Sequence, residues 1–343
     1  MIREILVHPQ ETVWQPWIVA YFFFIGIGFS AVFSALWIFL KQGRLGLKEE
    51  TLALAVASVC VLVGSLALLG DLHQPGRIIH FYTDFNAGSW MAWGAFFLPW
   101  FCISVIAYFV SLVVAQIAER DLPRPLLGFS AVIRHRKGLL MSLRLSSAVS
   151  ALMIVLYTLM ETYATGTRPL WRSYWLLPIM LCSVLPFALA LIAVLTKTFT
   201  KNTALYRFKR PILLHLIILV LAVAAWYLES ADNSRDLDLI LQNAYSPYVL
   251  MLAFIIALAA NFYGRDKIAL LALAVLAWTV RWVLVIEVQS LSKTNVLQNF
   301  YHFDWLSTEG GIGMLSLFGL CLCLALLMHR LMVFIFKGGV QHG

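Results

Sequence analysis

Nine apolar runs recur along the chain, at residues 14–40, 52–72, 90–118, 140–163, 173–196, 211–229, 246–263, 267–289 and 310–336. Each falls within or beyond the ~17–25 residues that a helix uses to cross about 30 Å of hydrocarbon. None shows the alternating ~10-residue pattern of a transmembrane β-strand. A helix satisfies its backbone hydrogen bonds internally, so runs of this length in lipid become helices. The expected fold is all-α, a polytopic transmembrane helical bundle of about nine spans, forming a single integral membrane domain over residues 1–343. Only 12% of residues are charged, against roughly 25% in soluble domains. Gly264-Arg265-Asp266 is so short a link that the seventh and eighth spans form a tight hairpin. The first run is too long for a secretory signal and follows Arg3, Glu4 and Glu11, so it is expected to remain as a helix. The longest hydrophilic stretch, 119–139, reads as a loop.

Charge orients the bundle. Nine spans divide the loops into two sets. One, made of 41–51, 119–139, 197–210, 264–266 and the tail, carries fifteen Lys and Arg; the other carries six. The positive-inside rule places the basic set, and with it the C-terminus, in the cytoplasm, and the N-terminus outside. The net charge of +8 is thereby a matter of topology. No basic face with recognition residues points to nucleic acid; the expected surroundings are membrane lipid. The outer segments 71–86, 165–171, 229–238 and 292–309 mix Asp, Asn and His with aromatics.

The cysteines argue against a metal centre. Cys60, Cys102, Cys182, Cys321 and Cys323 all lie in apolar runs, without the spacing of an iron–sulfur cluster or a zinc site. His215 and His329, near the cytoplasmic ends of the sixth and ninth spans, have no flanking signal for haem ligation. No haem, iron–sulfur cluster or other metal is therefore expected in this chain.

Polar groups inside spans are costly and mark function by default. Counting along the spans brings Tyr21, Asp71, Tyr157, Glu161 and Arg281 to a common depth in the outer half. Tyr157 and Glu161, four apart, share one helix face. A structural alternative is that Arg281 neutralises a buried carboxylate. Phenols and carboxylates open to lipid near the outer surface suit a quinol. Its ring oxygens need hydrogen-bond partners, with Tyr21 and Tyr157 placed to supply them. Its oxidation releases two protons, for which Asp71, His73 and Glu161 are candidate acceptors. Electrons would leave to an acceptor docked on the outer loops.

The segments HPQETVWQPWIVAYFFFIGIG (8–28), GDLHQPGRIIHFY (70–82) and SWMAWGAFFLPW (89–100) resemble the NrfD-like, or polysulfide reductase, family of quinone-interacting membrane subunits. LYTLMETYATGTRPLW (156–171) and RWVLVIEVQSLSKTN (281–295) resemble its tetrathionate-reductase branch. The resemblance covers essentially the full chain, and its most specific block is DLHQPGRIIHFY. It implies a three-part complex in the bacterial cytoplasmic membrane. A molybdopterin catalytic subunit outside reduces tetrathionate to thiosulfate, a ferredoxin-like iron–sulfur subunit feeds it electrons, and this chain anchors both while oxidising menaquinol or ubiquinol. The family's quinone pocket places a histidine on the first helix, where this chain has Tyr21, and a tyrosine on the fourth, matched by Tyr157; Ile18 stands where some relatives carry asparagine. Asp71 and Arg77 match the family's Asp-Leu-x-x-Pro-x-Arg segment, with Arg77 implied either at the quinol or at the iron–sulfur partner.

Other readings are an anchor for a polysulfide, sulfite or other sulfur-compound enzyme, a purely structural anchor, and a transport or ion-translocating protein. Transport predicts polar groups at mid-membrane between repeats, whereas the polar cluster here is displaced outward.

Overall fold

The computed structural model of the chain describes residues 11–72, 76, 78–117, 124–135, 137–166, 168–200, 206–291 and 299–338. Helix α1 (Pro16–Gln42) opens on a proline at its first position, where the missing N–H costs nothing. It ends at Gly43, whose φ of 55° an L side chain adopts only with strain. A short 3₁₀ turn, Gly43–Gly46, then reverses the chain into α2 (Leu47–Asp71), which packs back along α1. Beyond a short α3 (His80–Thr83) come α4 (Trp90–Gln116), α5 (Arg124–His135) and α6 (Lys137–Thr165). They are followed by α7 (Leu176–Thr200), α8 (Tyr206–Leu228), α9 (Ala231–Asn243) and α10 (Ser246–Phe262). Helix α11 (Asp266–Trp282) runs through a π-helical turn, Val283–Glu287, into α12 (Val288–Ser290), and α13 (Gly311–Gly338) completes the described chain.

Helix α1 is apolar all round and buried over almost its whole length, the mark of a central helix. It packs on α2, α2 on α4, α4 on α6, and α6 back on α1, closing a ring of four. On its other side α1 meets α7 and α11, which also pack on each other. Helix α8 lies outside α7, α10 outside α11, and α13 against α2, α1 and α7.

The chain is a polytopic all-α membrane protein. Its described residues hold seven stretches long and apolar enough to cross a membrane, or up to eight if the bent pair α9–α10 is one span. The first of these stretches, Pro16–Asp71, contains both α1 and α2, folded back on each other at Gly43. Helix α10 has 17 residues, about 25 Å of rise, and is bent by 90° from α9.

Two expected loops prove to be helical. Residues 124–135, inside the 119–139 stretch, form α5, and 231–243 forms α9. Both are amphipathic, a pattern that composition alone reads as hydrophilic. Ser230 caps α9 by accepting the backbone N–H of Asn233 at 3.1 Å.

At the end of the ring where α2 begins, charge is buried. Glu50 of α2 accepts from Arg144 of α6 at 2.8 and 3.2 Å. Tyr108 of α4 donates to the same carboxylate and accepts from Arg144 Nε at 2.9 Å. The guanidinium also lies 3.8 Å from the centre of the Phe39 ring, a cation–π contact. One ion pair, with the phenol and ring that contact it, thus ties α1, α2, α4 and α6 together. Breaking a buried pair on one side leaves an uncompensated charge. Arg144→Met is expected to destabilise the folded chain by about 3–5 kcal/mol, and adding Glu50→Gln to recover most of that loss. Denaturant titration in detergent micelles measures both.

Candidate functional site

The opposite end of the same four-helix ring holds the polar cluster. Tyr21 lies five residues into α1, Asp71 is the last residue of α2, and Tyr157 and Glu161 lie within the final ~12 Å of α6. Tyr21 is fully buried and Tyr157 is 3% exposed. Tyr157 and Glu161 lie one turn apart on the same face of α6, with the Glu161 carboxyl within electrostatic reach of both phenols. Asp71 acts electrostatically on Glu161 from α2. The Cys102 thiol of α4 lies 3.2 Å from Ser65 Oγ of α2.

Two polar atoms of this cluster, the Tyr21 hydroxyl and Glu161 Oε2, are buried with no hydrogen-bond partner among the described residues. Each such atom costs about 1–3 kcal/mol, so a molecule bringing a donor and an acceptor between them removes a standing penalty.

Gly94, four residues into α4, makes room for the Tyr157 ring. A Cβ at Gly94 would lie 2.2 to 2.6 Å from three atoms of that ring and its hydroxyl, closer than atoms can approach. A glycine set among Trp93, Phe96 and Phe97 was the sequence signal for such an approach. Neither Gly94 nor the Ser65–Cys102 contact is foreseen from the sequence, which treats Cys102 as a small hydrophobe.

Arg281 is placed apart from the carboxylates. It is 1% exposed and lies against Gly26 of α1. Its guanidinium donates to Ser183 Oγ at 2.6 Å, the Met180 carbonyl at 2.7 Å and the Ala277 carbonyl at 3.0 Å. Its polar partners are thus α7 and its own helix, and no described carboxylate forms an ion pair with it. It lines a small cavity with Phe22 and Thr162, the sequence neighbours of Tyr21 and Glu161. His73 and Arg77 lie outside the described residues.

Loops brace this end. Gln289 exchanges hydrogen bonds with the Trp14 backbone, accepting at 3.0 Å and donating at 3.3 Å, and so ties α12 to the start of α1. Trp17 donates its indole N–H to the Thr308 carbonyl at 3.0 Å. Arg168 donates to the carbonyls of Gln289, at 2.9 Å, and Leu291. Burial pulls its guanidinium below the ordinary arginine range. Trp171 donates to the Leu284 carbonyl at 2.8 Å, inside the π-helical turn. The frame around Tyr21 is therefore built from both halves of the chain.

Comparison with known proteins bears on the whole of this frame. A family model described as polysulphide reductase, NrfD matches residues 4–292, which takes in every residue of the cluster. The chain is also similar to the tetrathionate reductase C subunit of Salmonella typhimurium, with 30% identity over 342 residues, covering 96% of this chain and 95% of that protein.

The Gly94–Tyr157 contact can be tested on its own. Gly94→Ala is expected to cost about 1–3 kcal/mol through overpacking. Combining it with Tyr157→Leu, which withdraws the ring, is expected to restore stability, as read by thermal unfolding in detergent.

Proposed function

The chain belongs to the polysulphide reductase NrfD family of membrane proteins, and from that membership and the geometry we propose that it is the quinol-oxidising membrane anchor of a respiratory oxidoreductase complex. The observation that carries this reading is the pair of unpartnered polar atoms, Tyr21 hydroxyl and Glu161 Oε2, buried beside Tyr157 at one end of the helix ring. A quinol has the matching shape of chemistry, a flat apolar ring with a hydroxyl at each side.

Tyr21 and Tyr157 hold the quinol oxygens and Glu161 takes a proton as the ring is oxidised. Asp71, at the mouth of α2, passes it outward, with His73 in the adjoining segment. Each quinol gives up two electrons and two protons and becomes a quinone. Arg281 acts from the side, fixing α11 against α7 and keeping a positive charge near the ring. Arg77 contacts either the quinol or the docked partner. The electrons leave through a ferredoxin-like iron–sulfur subunit to a molybdopterin subunit. Similarity along nearly the whole chain to a tetrathionate reductase C subunit supports tetrathionate as the terminal acceptor. Tetrathionate takes up two electrons to give two thiosulfates, so one quinol balances one tetrathionate.

In this reading α1 and α2 cross separately and the whole chain makes nine crossings of the bacterial inner membrane as one domain, with the N-terminus and the cluster on the outer side. The charge bias of the loops supports the orientation. Alkaline phosphatase fused after residue 166 is expected to be active, and after residue 200 inactive; the reverse result would invert the topology.

Quinol-driven tetrathionate reduction by membranes holding the assembled complex tests the site. Tyr157→Phe, Glu161→Gln and Asp71→Asn are each expected to lower that rate by about 10²-fold or more, the usual worth of a positioned proton-transfer group. Activity driven by a reduced artificial dye, which bypasses this chain, should stay at the wild-type level. Unchanged quinol-driven turnover in all three variants would remove the site. Quinol oxidation coupled to another sulfur acceptor, but not to tetrathionate, would keep the site and replace the acceptor.

A further inference from the structure

A second opening lies away from the Tyr21–Glu161 cluster. A groove of about 190 Å³ runs between α2, α7 and α13, lined by Val56 and Cys60, by Leu195, and by Cys321, Ala325 and His329. From Cys321 to His329 it follows α13 for about 12 Å. Its walls are almost wholly carbon and sulfur, and a void of that character does not hold water. Helix α13 is mostly exposed along this stretch, so the groove opens sideways into the surrounding hydrocarbon.

One end of the groove is basic. His329 lies there with its ring centre 5.2 Å from that of Phe199. The Lys48 ammonium, from the start of α2, sits 5.7 Å from the ring centre of Phe336 on α13 and so bridges the mouth. This is the end of the bundle that carries the buried Glu50–Arg144 pair, opposite to the cluster.

We propose that this groove is a binding site for one anionic phospholipid, an acyl chain filling the space between α2 and α13 and the phosphate lying between Lys48 and His329. An apolar slot with basic side chains at one mouth matches a molecule with a long chain and a negative head. Each Lys or Arg near an anionic headgroup favours it by about fivefold. The isoprenoid tail of a quinone would also fit the slot, but its uncharged head makes no use of the basic mouth. The lipid closes the gap that α13 leaves against α2 and α7, and so fastens that helix to the bundle.

Native mass spectrometry of the full chain released from detergent tests the site. The wild type is expected to retain one phosphatidylglycerol, and Ala325→Phe, which fills the slot, to retain at least tenfold less. Lys48→Gln with His329→Gln should still bind lipid but lose at least fivefold of the preference for phosphatidylglycerol over phosphatidylcholine. If Ala325→Phe does not fold, photolabelling of the wild type decides: phosphatidylglycerol carrying a diazirine in its acyl chain should mark peptides of α2 and α13. Equal retention by a folded Ala325→Phe, no labelling of those helices, or labelling abolished by excess quinone but not by excess phosphatidylglycerol would overturn the proposal.

Discussion

Lipid offers a polar group nothing to bond to, and much of the arrangement of this chain follows from how its buried polar groups find partners without water. Small hydroxyls turn back onto their own helices: Ser34 donates to the Ser30 carbonyl, Ser65 to Val61 and Thr158 to Val155. Larger charges are shared between helices. Arg144 is satisfied by Glu50 and Tyr108, and Arg281 places two of its three nitrogens on α7 and its own helix. Some buried hydroxyls, such as those of Ser30, Ser58 and Ser111, find no partner among the described residues, and the Tyr21 phenol and Glu161 Oε2 differ from these in falling within one cluster.

The two ends of the four-helix ring therefore behave differently. At one end a carboxylate, a phenol and a guanidinium neutralise one another, and the ring is shut. At the other, two phenols and two carboxylates gather, and the nearby Arg281 turns its guanidinium to α7 and its own helix rather than to Glu161. The same four helices supply both ends, α2 running from Glu50 to Asp71 and α6 from Arg144 to Glu161. Rigidity at the shut end holds the open end in register, because α2 and α6 cannot slide past each other without breaking the pair.

Much of this was legible in the residues, and what was not has a common cause. Counting 1.5 Å per residue gives depth, which is why Tyr21, Asp71, Tyr157 and Glu161 emerge together from the sequence. Depth says nothing of azimuth. Arg281 shares the depth but is turned toward α7, and only the packing of α11 decides that. Glu50 stands just ahead of the 52–72 run and so reads as a loop residue, although helix α2 begins at Leu47 and buries it. Helices α5 and α9 escape a reading by polarity because half of each is polar. The Gly94–Tyr157 contact escapes because a glycine in a span announces a close neighbour without saying which.

The π-helical turn at Val283–Glu287 gives the chain an unusual sensitivity to length. Such a turn holds one residue more than an α-helix over the same rise, and its far side is rotated by roughly 100° relative to an unbroken helix. Losing one residue from this turn would let α11 and α12 run on as a regular helix, preserving every hydrophobic face of α11. It would also swing Gln289 away from Trp14 and move the Leu284 carbonyl off the Trp171 indole. Point changes at the four apolar positions of the turn therefore act locally, whereas a single-codon deletion there acts at a distance, on the entry of α1.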